Sequence, residues 1–164
     1  MIRPHVTRKV RKEEMEKPVL RIEVLPGNED LGLPAYATEG SAGLDLKAAL
    51  SGPLTLKAGE RGVVPTGLKM AIPPGFEGNV RPRSGLAMKQ GLTLTNSPGT
   101  IDSDYRGEVK VLVINLGQEP VILKRGDRIA QLLVSPVARA QVVKVDRVDE
   151  TQRGEGGFGH TGLQ

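Results

Sequence analysis

Apolar and polar positions alternate along this 164-residue chain in short bursts, each closed off by glycine or proline. After Pro18 the stretch "VLRIEVL" (19–25) alternates as a half-buried strand would, and residues 27–43 read as a long loop of turn formers. Further strands are predicted at 43–49, 53–57, 61–72, 78–82, 91–95, 107–116, 120–124, 128–135 and 140–148. Pro53, Gly59, Pro73-Pro74-Gly75, Gly99, Gly117, Gly126 and Pro136 punctuate them. "VKVLVINL" (109–116) is apolar nearly throughout, which predicts a strand covered on both faces. Only "SGLAMKQ" (84–90) offers a helical turn, with Ser84 expected as its N-cap. Many short strands at close spacing and almost no helix predict an all-β chain, a β-barrel or jelly roll.

Composition agrees with that pattern. The 21 Gly and 12 Pro suit tight turns, and with no Trp and only Tyr36, Phe76, Tyr105 and Phe158 as aromatics the core must be aliphatic. The absence of cysteine excludes disulfides, thiolate chemistry and Cys-based zinc sites. It is compatible with a reducing compartment. No apolar run approaches a membrane span, and the first eighteen residues hold no apolar signal region, so a cytoplasmic location is expected.

The net charge of +4 is unevenly placed. Residues 1–18 carry six basic side chains against three Glu, whereas the remaining 146 residues carry 17 basic and 16 acidic ones. The chain therefore divides into a basic tail (1–18), a nearly neutral β domain (19–148) and a polar, Gly-rich arm (149–164). A solvated, flexible tail is the first expectation; contact with an acidic partner such as nucleic acid is the second.

With only His5 and His160, a Ser-His-Asp triad or a His-ligated metal finds little material. The general base that remains is a carboxylate, and the metal type that remains is a hard cation such as Mg2+. In "RPRSGLAMKQG" (81–91), Arg83 and Ser84 open the helical turn, where an anion is favoured. "TNSPGTIDSDYRGE" (95–108) concentrates Asn96, Asp102, Asp104 and Tyr105 in a turn-rich hairpin, and Asp102 beside Ile101 is expected to be partly buried. Asp45 lies inside the alternating "SAGLDLKA", where an ordinary solvent-facing acid is the simpler expectation. Gln131 interrupts "GDRIAQLLV" and reads most simply as a satisfied edge residue. Arg153 and Thr161 for phosphate, Asp102 as base and Phe158 as a stacking ring together describe a nucleotide site.

"AGLDLKA", "PRSGLA", "GTIDSDYRGEV", "GDRIAQLLV" and "RGEGGFGHTG", in that order, closely resemble the five motifs of the trimeric deoxyuridine triphosphatase (dUTPase) family. The resemblance covers roughly residues 19–162. It implies a jelly-roll-like β-barrel, a homotrimer whose sites each draw on three chains, and Mg2+-assisted hydrolysis of dUTP to dUMP and pyrophosphate. That reaction limits uracil in DNA and supplies dUMP for dTTP synthesis.

By this resemblance Asp102 activates the water that attacks the α-phosphate, and Asp45 holds the hydration shell of Mg2+, itself bound mainly by the phosphates. Arg83, Ser84, Gly85 and Gln131 contact phosphates, while Asn96 and the backbone at Gly99 read uracil. Tyr105 packs under the deoxyribose, and Phe158 stacks on the base. Arg153, Gly159, His160 and Thr161 close the arm over the phosphates of a neighbouring subunit's site. His160 stands where the family pattern has Ser. It either lends only its backbone N–H or, when protonated, adds a pH-dependent phosphate contact. Two other readings stay open: a dCTP deaminase or bifunctional deaminase-dUTPase of the same fold, and a non-catalytic nucleotide-binding relative.

Overall fold

The structure, a computed structural model, describes residues 17–157. Ten strands and one short helix follow in the order β1 (Arg21–Val24), β2 (Leu44–Lys47), β3 (Leu54–Leu56), β4 (Arg61–Ala71), β5 (Phe76–Arg81), α1 (Ser84–Gln90), β6 (Leu92–Leu94), β7 (Gly99–Ile101), β8 (Glu108–Asn115), β9 (Val121–Leu123) and β10 (Arg128–Pro136). All named pairings are antiparallel. They build the sheets β1-β4-β8-β6 and β2-β10-β5-β7 and the small pair β3-β9. The result is the all-β, jelly-roll-like barrel that the sequence predicts.

Inward residues of the three sheets share one aliphatic core, with Leu46, Val64, Met70, Ile72, Leu92, Val113, Ile129 and Leu132 almost wholly enclosed. Alternation explains which side chains enter it. In β2 the side chains of Leu44 and Leu46 turn inward while Asp45 and Lys47 point away. Among buried polar groups, Asn115 is 0% exposed, and every hydrogen-bonding group of its side chain has a use. Its amide nitrogen donates to the carbonyls of Leu56 (2.9 Å) and Glu119 (2.8 Å), and its Oδ1 accepts from the Gly117 N–H (2.8 Å).

Four expectations need correction. Strand β8 is not covered on both faces: Val109, Val111 and Val113 are buried, but Lys110 and Leu112 are exposed and Ile114 is half-buried, leaving one apolar face open in the single chain. Residues 140–148 form no strand. Val142 is 94% exposed, and Val143, Val145 and Val148 are exposed with it, because no strand edge within the described residues pairs with this stretch. Gly99, expected to close a strand as a turn residue, instead opens β7 (Gly99–Ile101) against β5. Finally, Arg83, not Ser84, occupies the N-cap of α1, and no side chain caps that end.

The long loop before β2 contains a 3-10 turn at Glu29–Leu31 and is pinned by Arg125. Its guanidinium grips Asp30 through Nε (3.1 Å) and Nη2 (2.6 Å) and donates to the Gly27 carbonyl (2.9 Å). The hydrogen bond and charge of Arg125 hold the Asp30 carboxyl below its ordinary value of 3.8. Asp30 therefore binds fewer protons folded than unfolded. Its contribution to stability is present above its ordinary value and is lost as pH falls through the lowered one. Arg125→Met is expected to flatten the loss of stability below about pH 4. Urea denaturation at pH 3 and pH 7 checks this; an unchanged difference between the two pH values refutes it.

Candidate active site

Strand register brings the first motif residues together. β10 lies between β2 and β5, with Gln131 opposite Asp45 on one side and Arg81 on the other. Three polar side chains from distant parts of the sequence thus form one row across the sheet. Gln131 is therefore central rather than at an edge, and its Nε2 donates to the Pro82 carbonyl (3.0 Å). Gly43 leaves room beside it: a Cβ there would lie 2.7 Å from Gln131 Oε1 and push the amide aside.

The row opens into a cavity of about 400 Å3, lined by Gly43, Asp45, Arg81, Arg83, Ser84, Gly85 and Gln131 among others. Asp45 does not simply face water. Its side chain is 18% exposed; Oδ1 forms an ion pair with Arg83 Nε and Oδ2 accepts from Arg128 Nη1, each at 3.0 Å. Arg83 also donates through Nη1 to the Arg128 carbonyl (3.2 Å), which fixes its plane. Guanidinium groups outnumber carboxylates in this cavity, so it presents net positive charge to an anion.

A second cavity, of about 330 Å3, lies under the hairpin and is lined by Asn96, Thr100, Ile101, Asp102, Tyr105, Glu108, Lys110 and Leu112. The Tyr105 N–H donates to the Asp102 carbonyl (3.1 Å), closing the turn. The Tyr105 hydroxyl donates to the Glu108 carbonyl (3.0 Å) and packs on Gly107, where a Cβ would collide with the ring. Gly99 is buried in β7, with Asn96 close above it. The Asp102 carboxylate is exposed in the single chain, contrary to the expected partial burial, because Ile101 turns into the core and its neighbour points out.

The two cavities share no lining residue. Asp45, Arg83, Ser84, Gly85 and Gln131 come together in one; Asn96 and Tyr105 line the other with Asp102, and Gly99 lies beside it in β7. Arg153 joins neither: its Nε donates to the Gly156 carbonyl (2.7 Å) within the arm. Phe158, Gly159, His160 and Thr161 lie outside the described residues. Among the described residues no group of three or more His, Cys, Asp or Glu is placed to hold a metal. Sequence reading passed over Arg81 and Arg128. The available signal was their spacing, Arg81 two residues before Arg83 and Arg128 three before Gln131, but only the sheet register shows that they converge.

Comparison with known proteins follows the same lines. The family profile described as dUTPase matches residues 29–162. The deoxyuridine 5'-triphosphate nucleotidohydrolase of Aquifex aeolicus is 61% identical over 150 residues, covering 92% of this chain and all (100%) of that protein. That of Rhizobium etli is 56% identical over 149 residues, covering 90% of this chain and 96% of the relative. A solved mutant dUTPase of Staphylococcus bacteriophage 80alpha with dUpNHpp superimposes with a TM-score of 0.76 at 25% identity, covering 88% and 99% of the two chains. Motif order, barrel topology and both cavities thus meet in one conclusion: this chain belongs to the dUTPase family.

Proposed function

We propose that the protein is a dUTP diphosphatase, hydrolysing dUTP to dUMP and pyrophosphate. The observation that carries the reading is the pairing of a cationic cavity at Asp45, Arg83 and Gln131 with a nucleoside-sized cavity holding Asp102 and Tyr105. The cationic cavity takes the triphosphate through Arg83, the Ser84 hydroxyl, the Gly85 N–H and the Gln131 amide. The hairpin cavity takes the nucleoside, with Asn96 and the Gly99 backbone on the uracil edge and Tyr105 against the sugar. Asp102 accepts a proton from the water that attacks the α-phosphorus; the bond to the bridging oxygen breaks and pyrophosphate leaves. Arg153, Phe158, Gly159, His160 and Thr161 complete the closed site.

The donor set fits a divalent cation held from outside the protein. Both Asp45 oxygens are already paired with arginines, and only their remaining lone pairs can reach metal-bound water. Mg2+ on the phosphates would supply charge neutralisation in the transition state. Asp45 would orient its hydration shell.

The same geometry supports a homotrimer with shared sites. One chain keeps its phosphate and nucleoside cavities apart, and it leaves Val63, Leu112, Ile122 and the valines of 142–148 exposed. Packing copies together would cover these surfaces and set one chain's hairpin against another's cationic cavity. Residues 149–164 then serve as the closing arm, 19–148 as the barrel and 1–18 as a tail. Among the described residues, no helix is long and apolar enough to cross a membrane.

Pyrophosphate release from dUTP, dCTP, dTTP and UTP, each with Mg2+, tests the reading. Turnover of dUTP alone is expected. Ammonia release from dCTP would place the protein among the deaminases, and binding without turnover would make it a regulator.

A further inference from the structure

We infer that Arg81 is a further substrate-binding residue, giving the cationic cavity charge that no carboxylate among the described residues pairs with. The inference rests on the triphosphate reading above and names a contact that reading does not include. Arg81 ends β5 directly opposite Gln131 and lines the same cavity as Asp45 and Arg83.

Its partner differs in kind from theirs. The Arg81 Nε donates to Asn79 Oδ1 at 2.9 Å, two residues back on the same face of the strand. Asn79 is 8% exposed, and its own amide reaches Glu77 Oε1 at 3.4 Å. A buried neutral amide thus fixes the guanidinium through Nε without offsetting its charge. Among the described residues, both Arg81 Nη groups lack a hydrogen-bond acceptor. Arg83 and Arg128, by contrast, share the Asp45 carboxylate between them. One carboxylate stands against three guanidinium groups, and Arg81 carries one of the two charges left uncompensated.

A planar fork held by Nε, with both Nη groups directed elsewhere, suits two oxygens of one phosphate. The contact serves binding equally in ground and transition states, so its loss raises KM and spares kcat. Arg81→Ala is expected to raise KM for dUTP about tenfold, with kcat within about twofold of wild type. Competitive inhibition by inorganic tripolyphosphate, which has phosphates but no nucleoside, should weaken by the same factor. The rise of KM with ionic strength should also become shallower. Asn79→Asp, which keeps the contact but cancels the charge, should raise KM while Arg81→Lys recovers part of the loss.

Wild-type KM and unchanged tripolyphosphate inhibition in Arg81→Ala overturn the inference. A fall in kcat and in melting temperature with KM unaltered also overturns it, since that result makes Arg81 structural. Should the wild-type protein leave dUTP intact yet bind tripolyphosphate through Arg81, the substrate reading fails and the anion contact stands.

Discussion

Asp102→Asn is expected to lower kcat for dUTP by about 10³-fold, within the range by which a positioned general base speeds proton transfer. Substrate binding should survive or tighten. The substitution keeps the side chain's size and removes a negative charge that a triphosphate must approach. Folding should be untouched, because the Asp102 carboxylate is exposed and the turn is closed by its backbone carbonyl, which accepts from the Tyr105 N–H. The useful measurement is a pair: single-turnover hydrolysis of dUTP and equilibrium binding of a non-hydrolysable dUTP analogue. Slow hydrolysis with binding intact assigns proton transfer to Asp102. Hydrolysis at the wild-type rate removes Asp102 from the chemistry, and joint loss of binding and hydrolysis makes it a structural or recognition residue.

The largest effect on stability is expected at a residue that lines neither cavity. Asn115→Leu keeps roughly the same volume but strands the buried Leu56 carbonyl and, at the protein's rim, two part-buried groups, the Glu119 carbonyl and the Gly117 N–H. Leaving a buried polar group unpaired costs about 1–3 kcal/mol, and water recovers much of the cost at the two part-buried groups, so a loss of about 3 kcal/mol is expected. The Asn115 backbone adds to the knot, its N–H donating to Glu60 (3.0 Å) and its carbonyl accepting from Gly59 (2.7 Å). One side chain therefore ties the turns after β3 and β8 to each other. Urea denaturation at fixed protein concentration measures the effect, since assembly would make apparent stability concentration-dependent. A loss below about 1 kcal/mol would show that water replaces the amide. The activity of whatever fraction folds should stay near wild type.

The parts of the fold that show in the sequence are those whose signal is local. β4 and β10 are long, apolar and bounded by glycine or proline, and both form close to their predicted limits. Of β7 only the extended end at Ile101 is legible, because three residues beginning with glycine carry no period. Residues 140–148 misled for the opposite reason: their alternation is real, but alternation says nothing about which edge will pair with it. The apolar run of β8 predicts cover on both faces, although outward Leu112 is exposed and outward Ile114 only half-buried within one chain. Site chemistry was legible as residue types within motifs. The convergence of Asp45, Arg81 and Gln131 was not, since it depends on which strands lie beside β10.

The separation of the two cavities on one chain has a consequence for inheritance. Where each site borrows its halves from different copies, a lesion at Arg83 and a lesion at Asp102 do not define one defect. A cell carrying both alleles makes mixed assemblies, and some sites in them receive an intact cationic half from one product and an intact hairpin from the other. Two individually inactive alleles then complement, whereas two lesions in the same cavity never do. A single inactive allele, for its part, spoils sites in every assembly it enters.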